Sequence, residues 1–540
     1  MRIRVFLLSI TIALLYGGFL HNSIVFDDLY FFLKDAPEKY VEQGFQFRPR
    51  WWVYYSLGLT FVEIGPEIIW LRLGNLLLHI GVAIALFILI QRLLLDLDNR
   101  QQSNLNIQWV GFIAALLFAL HPVAVYGAGY LIQRTILAAT FFSLMTLLSL
   151  WLGMNGSRRW LWASVLFYGL AAFSKEHVVM VPATCAALWL LHRKSGLATD
   201  LATPPRPSEM WAVLLAQGSI AVLVTYLAIG GAHEILAPEM MQDMAERGSD
   251  IPQGLEYPLS VLTQAGLFFK YLGLWGVPDV TAMSVDMREP FALSLTPSRV
   301  AWLVAFCLYP VAAIWLLLQG RAKGLAGFAL LTPWLLFATE LVSVRLQEIF
   351  VLYRSYLWAP ALFILLAMGL QRLQARMAIG IGLILSIFLA AFAFDRLTSF
   401  SHPYLLWDDA AKLAEKNVST AGVNGIARIY HNRGLALYRE GFVDKAIESY
   451  DQALAHKNDH SYVYNDRGAA RLDIKDYAGA LADFEQSIQL KSDYLLPYAG
   501  RAAALEKLGR SREASEAFMR ACKLGWKPAC EKRPTPQQTN

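Results

Sequence analysis

From its first residues to about Phe394 the chain is one apolar run after another, each closed by a short polar turn. Runs of this kind predict helices able to cross a bilayer. Eleven are read: 5–20, 68–90, a third ending near Leu120, a fourth reaching Gly153, a fifth ending at Ser174, a sixth ending at His192, then 211–229, 300–318, 325–342, 357–370 and 378–394. The stretch 53–64 is aromatic and too short to span, so it predicts a helix lying in the membrane surface. The segment 255–275 is also apolar, but Glu256, Pro258, Gln264 and Lys270 interrupt it. It reads as part of a long loop, 230–299.

After Ser401 the pattern changes to amphipathic helices rich in Ala, Tyr and charge. Tyr430, Tyr464 and Tyr498 recur 34 residues apart, as do Arg433, Arg467 and Arg501, and Ala446, Ala480 and Ala514. Tyr450, Phe484 and Phe518 follow four residues after each of those alanines. This is the tetratricopeptide pattern: small residues let paired helices approach and aromatics fill the gap between them. The expected fold is therefore all-α. A polytopic membrane domain over 1–397 leads into a connector with a helix (398–429) and three repeats at 430–463, 464–497 and 498–530. A disordered tail closes the chain at 531–540. Stacked repeats offer a curved surface for a protein segment, or serve as a rigid spacer.

Charge adds orientation. The net charge is +5, of which residues from Ser401 contribute 20 Lys/Arg against 18 Asp/Glu, or +2. Neither part is basic enough for nucleic acid. The basic turns at Arg2/Arg4, Arg92/Arg100, Arg158/Arg159, Arg193/Lys194, Arg321/Lys323 and Arg372/Arg376 fall on one side, the cytoplasmic one. The first run lacks a small-x-small cleavage site and is read as an uncleaved anchor. The opposite side then carries Asp27-Asp28, His121, Arg134, Lys175-Glu176, Arg345, Glu348, Arg354 and the repeats. A multi-pass membrane protein with its repeat domain on the non-cytoplasmic side is the expectation. Four cysteines are too few for a disulfide scaffold; Cys185 and Cys307 lie inside apolar runs and read as packing residues.

Each polar group at a span end has an ordinary explanation, as a snorkelling or interfacial residue or, for His121-Pro122, a helix stop. Converging on the face that carries two carboxylates, they suggest a cationic phosphate site beside an acid. Lys and Arg would hold a lipid-linked phosphate as leaving group, and a carboxylate would take a proton from an acceptor hydroxyl.

The stretches Phe26-Asp27-Asp28, Arg48-Pro49, Asn75-Leu76-Leu77-Leu78-His79, Leu120-His121-Pro122-Val123, Tyr130-Leu131-Ile132-Gln133-Arg134, Ser174-Lys175-Glu176 and the loop 345–356 occur in an order that resembles a known family. It is the GT-C class of polytopic glycosyltransferases, and within it the transmembrane-and-tetratricopeptide-repeat O-mannosyltransferases. The resemblance implies a polyprenyl-phosphate-linked sugar as donor and a hydroxyl acceptor on an exported protein, held by the repeats. It implies Asp27 or Asp28 as catalytic acid/base, with Asp27 matching the first acid of the family's pair and Asp28 positioning the acceptor or a metal. Lys175, Arg134, Arg354 and His121 match positions near donor phosphate. Glu176, Arg48 and His79 match positions that orient donor or acceptor. The chain has Asp-Asp where many relatives have Asp-Glu and no dense acidic cluster, so no metal site is assigned and metal dependence stays open. The rival readings are a non-catalytic membrane-anchored repeat scaffold for envelope or pilus assembly and, third, a transporter.

Cys522 and Cys530 follow the third repeat. Gly525 stops one helix and Pro528 can start the next, and such a turn can bring residues eight apart within disulfide reach. The spacing is similar to the disulfide-closed ends of Sel1-like repeats. Two unpaired thiols under the turn are the alternative.

Overall fold

The computed structural model describes all residues except 26–27, 29–30, 33–36, 98–103, 198–204, 236–253, 346–348, 418–424 and 532–540. Among the described residues the chain is helical throughout, and it divides into two compact units, Met1–His402 and Pro403–Asn540.

In the first unit every predicted run forms a helix. Among the described residues, six helical stretches are long and apolar enough to cross a membrane: Ile68–Leu97, Leu131–Asn155, Pro207–Ile229, Pro297–Leu318, Arg321–Leu341 and Ala375–Ser399. A seventh candidate is the pair Asn106–Ala119 and Pro122–Ala128, bent by 67°. The helices Arg2–Gly17, Arg159–Ser174, Val181–Ser195 and Pro360–Leu370 have 16, 16, 15 and 11 residues, short of the roughly 20 that a bilayer core requires. Burial grades the long ones. Leu131–Asn155 is 78% buried across its apolar window, whereas Pro207–Ile229 is only 17% buried. The first belongs to the centre of the bundle; the second turns an apolar surface outward.

The bend follows from Pro122, which cannot donate a backbone hydrogen bond. His121 caps the second arm, its Nδ1 accepting from Val123 N at 3.3 Å. The segment 53–64 lies within the helix Trp51–Leu59 and its continuation as a wider turn, Thr60–Ile64.

One expectation is corrected. The segment read as part of a loop is a continuous helix, Glu256–Gly276. Pro258 sits in its first turn, where no intrahelical N–H is needed. Two of the polar residues that argued against a membrane span find partners elsewhere in the chain, and the helix is not among the candidate spans. Gln264 Nε2 donates to Ile349 O at 2.8 Å, and Lys270 pairs with Glu289. Its aromatic face packs Phe268 against Phe306, Tyr309 and Phe337. Tyr271 OH donates to Val351 O, and Trp275 Nε1 donates to Ser355 Oγ at 2.9 Å. This helix therefore fixes the turn Leu352–Leu357 that carries Arg354.

The second unit opens with the helix Pro403–Asn417. Three antiparallel pairs follow: Ile426–Arg439 with Val443–His456, Ser461–Asp473 with Tyr477–Leu490, and Leu495–Lys507 with Ser511–Lys523. The 34-residue pattern has a direct packing cause. Tyr450, Phe484 and Phe518 are all buried between helices. A Cβ on Gly434 would lie 2.5 Å from the Tyr450 ring, and one on Gly468 would lie 2.9 Å from the Phe484 ring. The recurring arginines link successive elements. Arg433 pairs with Asp408 of the leading helix, Arg467 with Asp451 and Asp483, and Arg501 with Glu485. Cys522 and Cys530 form a disulfide with a Cα–Cα distance of 5.0 Å, closing the turn into the last short helix, Lys527–Glu531.

Candidate functional site

The first unit gathers its loop charges from several segments. Arg50 begins the helix Trp51–Leu59 in the left-handed conformation, φ 64°, which costs a non-glycine residue energy. Two contacts hold it there: its N–H donates to Phe173 O at 2.8 Å, and its guanidinium makes a two-pronged pair with Glu176. Glu176 follows Lys175, the residue at which the helix Arg159–Ser174 ends. His177 bridges onward, 3.4 Å from Glu176 Oε1 and 3.6 Å from Glu340 Oε1. Glu340 also takes Arg354 Nη1 at 2.9 Å and faces Arg345 Nε at 3.6 Å.

Glu340 and Arg354 are buried, whereas Glu176 keeps 27% of its side chain exposed. Burial pushes the Glu176 carboxyl upward, but Arg50 and His177 outweigh it and hold it well below the usual carboxylate range. Burial lowers His177, with Glu176 and Glu340 opposing, so the imidazole is neutral near pH 7.

Lys175 is buried. Its Nζ donates to Gln133 Oε1 at 2.9 Å and lies 4.8 Å from the Tyr353 ring centre. Gln133 ends the short turn Leu131–Gln133, and Asp28 grips that same turn. Its Oδ2 accepts from Leu131 N at 3.1 Å and its Oδ1 from Ile132 N at 2.8 Å. Asp28 and Lys175 thus act on one turn from two directions. Asp27 and Glu348 lie outside the described residues.

Other predicted residues sit elsewhere. Arg134 is buried, and each of its three guanidinium nitrogens donates to protein: Nε to Asn75 Oδ1, Nη1 to Ser56 Oγ, Nη2 to Leu71 O at 2.7 Å. This side chain ties the helix it begins to Ile68–Leu97 and Trp51–Leu59. The residue expected to contact phosphate thus spends three of its guanidinium donors on holding helices together. His79 and His121 flank the helix bend. His79 Nε2 lies 3.1 Å from Ala119 O, which can only accept, so Nε2 carries the proton and Nδ1 accepts from Tyr356 OH at 2.6 Å. His121 stacks on Trp275 with ring centres 4.5 Å apart. Its Nε2 is buried without a hydrogen-bond partner. Arg48 is exposed, and the ion pair with Glu176 is made by Arg50, two residues further on.

Sequence reasoning missed Arg50, His177 and Glu340. Glu340 carried a usable signal, being a lone acid inside an apolar run. Arg50 and His177 carried none, since each is defined by a partner distant in sequence. No group of three or more His, Cys, Asp or Glu able to hold a metal ion occurs among the described residues.

The comparisons with known proteins fall on the second unit. The tetratricopeptide-repeat family profile matches residues 427–460. This stretch is a tetratricopeptide repeat. The first tetratricopeptide domain of Spaghetti (RPAP3), bound to the HSP90 peptide SRMEEVD, is 23% identical over 19% of this chain and 85% of that one, with a TM-score of 0.19. The second such domain, bound to the same peptide, is 31% identical over 18% and 91%, with a TM-score of 0.18. The second domain of human RPAP3, in complex with the HSP70 peptide SGPTIEEVD, is 29% identical over 19% and 92%, with a TM-score of 0.19. No curated protein matches the chain.

Proposed function

We propose that the protein is a multi-pass inner-membrane glycosyltransferase that transfers a sugar from a polyprenyl-phosphate-linked donor to a hydroxyl on an exported protein. The supporting observation is the loop cluster at the helix ends. Among the described residues it brings Arg50, Lys175, Arg345 and Arg354 together with the carboxylates Glu176 and Glu340. Cations held rigidly by such ion pairs are preorganised for a phosphate leaving group. In this reading Lys175 and Arg354 face the donor phosphate, with Glu176 orienting the groups around them. Asp28 holds the turn Leu131–Gln133, and Asp27 is the base that deprotonates the acceptor. The repeats hold the acceptor protein on their curved face. The outward apolar surface of Pro207–Ile229 supports a lipid environment.

Mass spectrometry of envelope proteins from cells with and without the chain tests the reading. A hexose-sized mass that vanishes on deletion, and also with Asp27→Asn in a protein that still inserts, is expected. Unchanged glycosylation in both strains overturns it. The recognised repeat also favours the second reading, a membrane-anchored scaffold. That reading predicts full function for Asp27→Asn and loss on removing residues 403–540.

A further inference from the structure

We propose that the bundle end opposite the loop cluster carries a binding site for an anionic phospholipid. The proposal rests on the membrane reading above. The two ends are separated by whole helices. Arg321–Phe337 starts at this end and leads to Glu340; at about 1.5 Å per residue it spans roughly 25 Å. Pro360–Leu370 likewise runs from just beyond Arg354 to Arg372.

A small cleft opens there, lined by Leu94, Leu97, Leu325 and Met368 with Gln371 and Arg372. The walls are apolar and the polar groups come from one turn. That arrangement suits an acyl chain with a charged head rather than a free anion, which would need polar walls.

The surroundings supply charge. Arg321 N donates to Ser195 Oγ at 2.7 Å, and a Cβ on Gly320 would lie 2.4 Å from Lys194 O. The turn after Pro297–Leu318 is thereby pressed onto the end of Val181–Ser195. The four chain ends at 92–97, 192–197, 319–324 and 371–376 hold seven Lys/Arg and one acid, Asp96. Asp96 accepts from Trp151 Nε1 at 2.6 Å. Arg372, Arg321, Lys323, Arg193 and Lys194 are exposed. Arg193 lies 5.5 Å from the Trp189 ring centre, and Trp189 packs edge-on against Trp211, an aromatic pair of the kind found at headgroup level. Basic clefts between membrane helices hold lipid headgroups through such contacts.

The test uses the full-length protein in detergent and native mass spectrometry with short-chain phosphatidylglycerol, phosphatidylcholine and inorganic phosphate. Phosphatidylglycerol is expected to bind in preference to phosphatidylcholine. Arg372→Glu should weaken it about thirtyfold, two charges' worth of attraction at a lipid surface. Leu97→Trp, which fills the cleft, should weaken the lipid and leave phosphate untouched. Arg372 is exposed, so its variant keeps the test valid if the Trp variant misfolds. Equal binding of the two lipids, an unaffected Arg372→Glu, or displacement by equimolar phosphate overturns the site. Carbonate extraction of membranes separates the two ideas. Release into the soluble fraction sinks the membrane reading; retention without phosphatidylglycerol preference sinks the lipid site alone.

Discussion

The two units use charge in opposite ways. In the repeats, ion pairs recur at a fixed interval: Arg467 reaches back 16 residues to Asp451 and Arg501 reaches back 16 to Glu485. They lie on partly exposed surface and repeat because the helices do. In the loop cluster the links have no period. Arg50 meets Glu176 across 126 residues, Lys175 meets Gln133 across 42 and Arg354 meets Glu340 across 14. Charges that hold a repeat together follow its geometry, whereas charges assembled from scattered loops and held against apolar helices require a fold to exist first. The second kind is costly to desolvate and depends on every partner being in place.

The largest effect that would break this contrast comes from Glu340→Ala. It leaves Arg354 buried without that carboxylate and should lower stability by about 3–5 kcal/mol, read as a lower thermal midpoint of the detergent-solubilised protein. An unchanged midpoint would mean the cluster is no more consequential than a surface pair. Tyr450→Ala is next. It empties the space above Gly434 and should cost about 3 kcal/mol, with faster proteolysis confined to 426–473 as the readout.

Acid should act on the cluster through two groups. Glu176 and His177 both have folded-state pKa values below their ordinary ones, 4.5 and 6.5. Each therefore contributes stability that is present above its unfolded value and lost as pH falls toward its folded value. Unfolding of the first unit should begin to ease below about pH 6.5 through His177 and ease further below about pH 4.5 through Glu176. His177→Gln should remove the upper part of that dependence; a pH profile identical to the parent's would discard the role. The smallest effect is Arg501→Ala, a partly exposed pair expected to cost less than about 1 kcal/mol and measurable only by comparing unfolding midpoints in high and low salt.

How much was legible follows the same division. The repeats could be read because Gly434 and Gly468 sit under rings that the 34-residue interval places there. The apolar runs were visible as helices because composition alone drives them. The helix Glu256–Gly276 was misread because its polar residues were weighed without partners; Glu289 and the Ile349 carbonyl become available only after folding. The protein partners of Arg134 were not legible, because a cation at a helix start looks free in one dimension. Its acceptors Asn75, Ser56 and Leu71 lie 59 to 78 residues away. Asp28 was singled out as one of two adjacent carboxylates, and its grip on the 131–132 backbone could not be seen from the Asp-Asp pair.

The Cys522–Cys530 link has a consequence for how the helical stack comes apart. A linear array frays from its ends, since a terminal element has one neighbour instead of two. At one terminus a covalent link between residues eight apart keeps the final turn from peeling away. At the other, the helix Pro403–Asn417 is fastened through the ion pair of Asp408 with Arg433. The array should therefore open like a zipper with one stop sewn shut: amide exchange is expected to appear first in 403–417 and last in 511–523. Reduction, or Cys530→Ser, removes the stop and should let exchange advance from both ends.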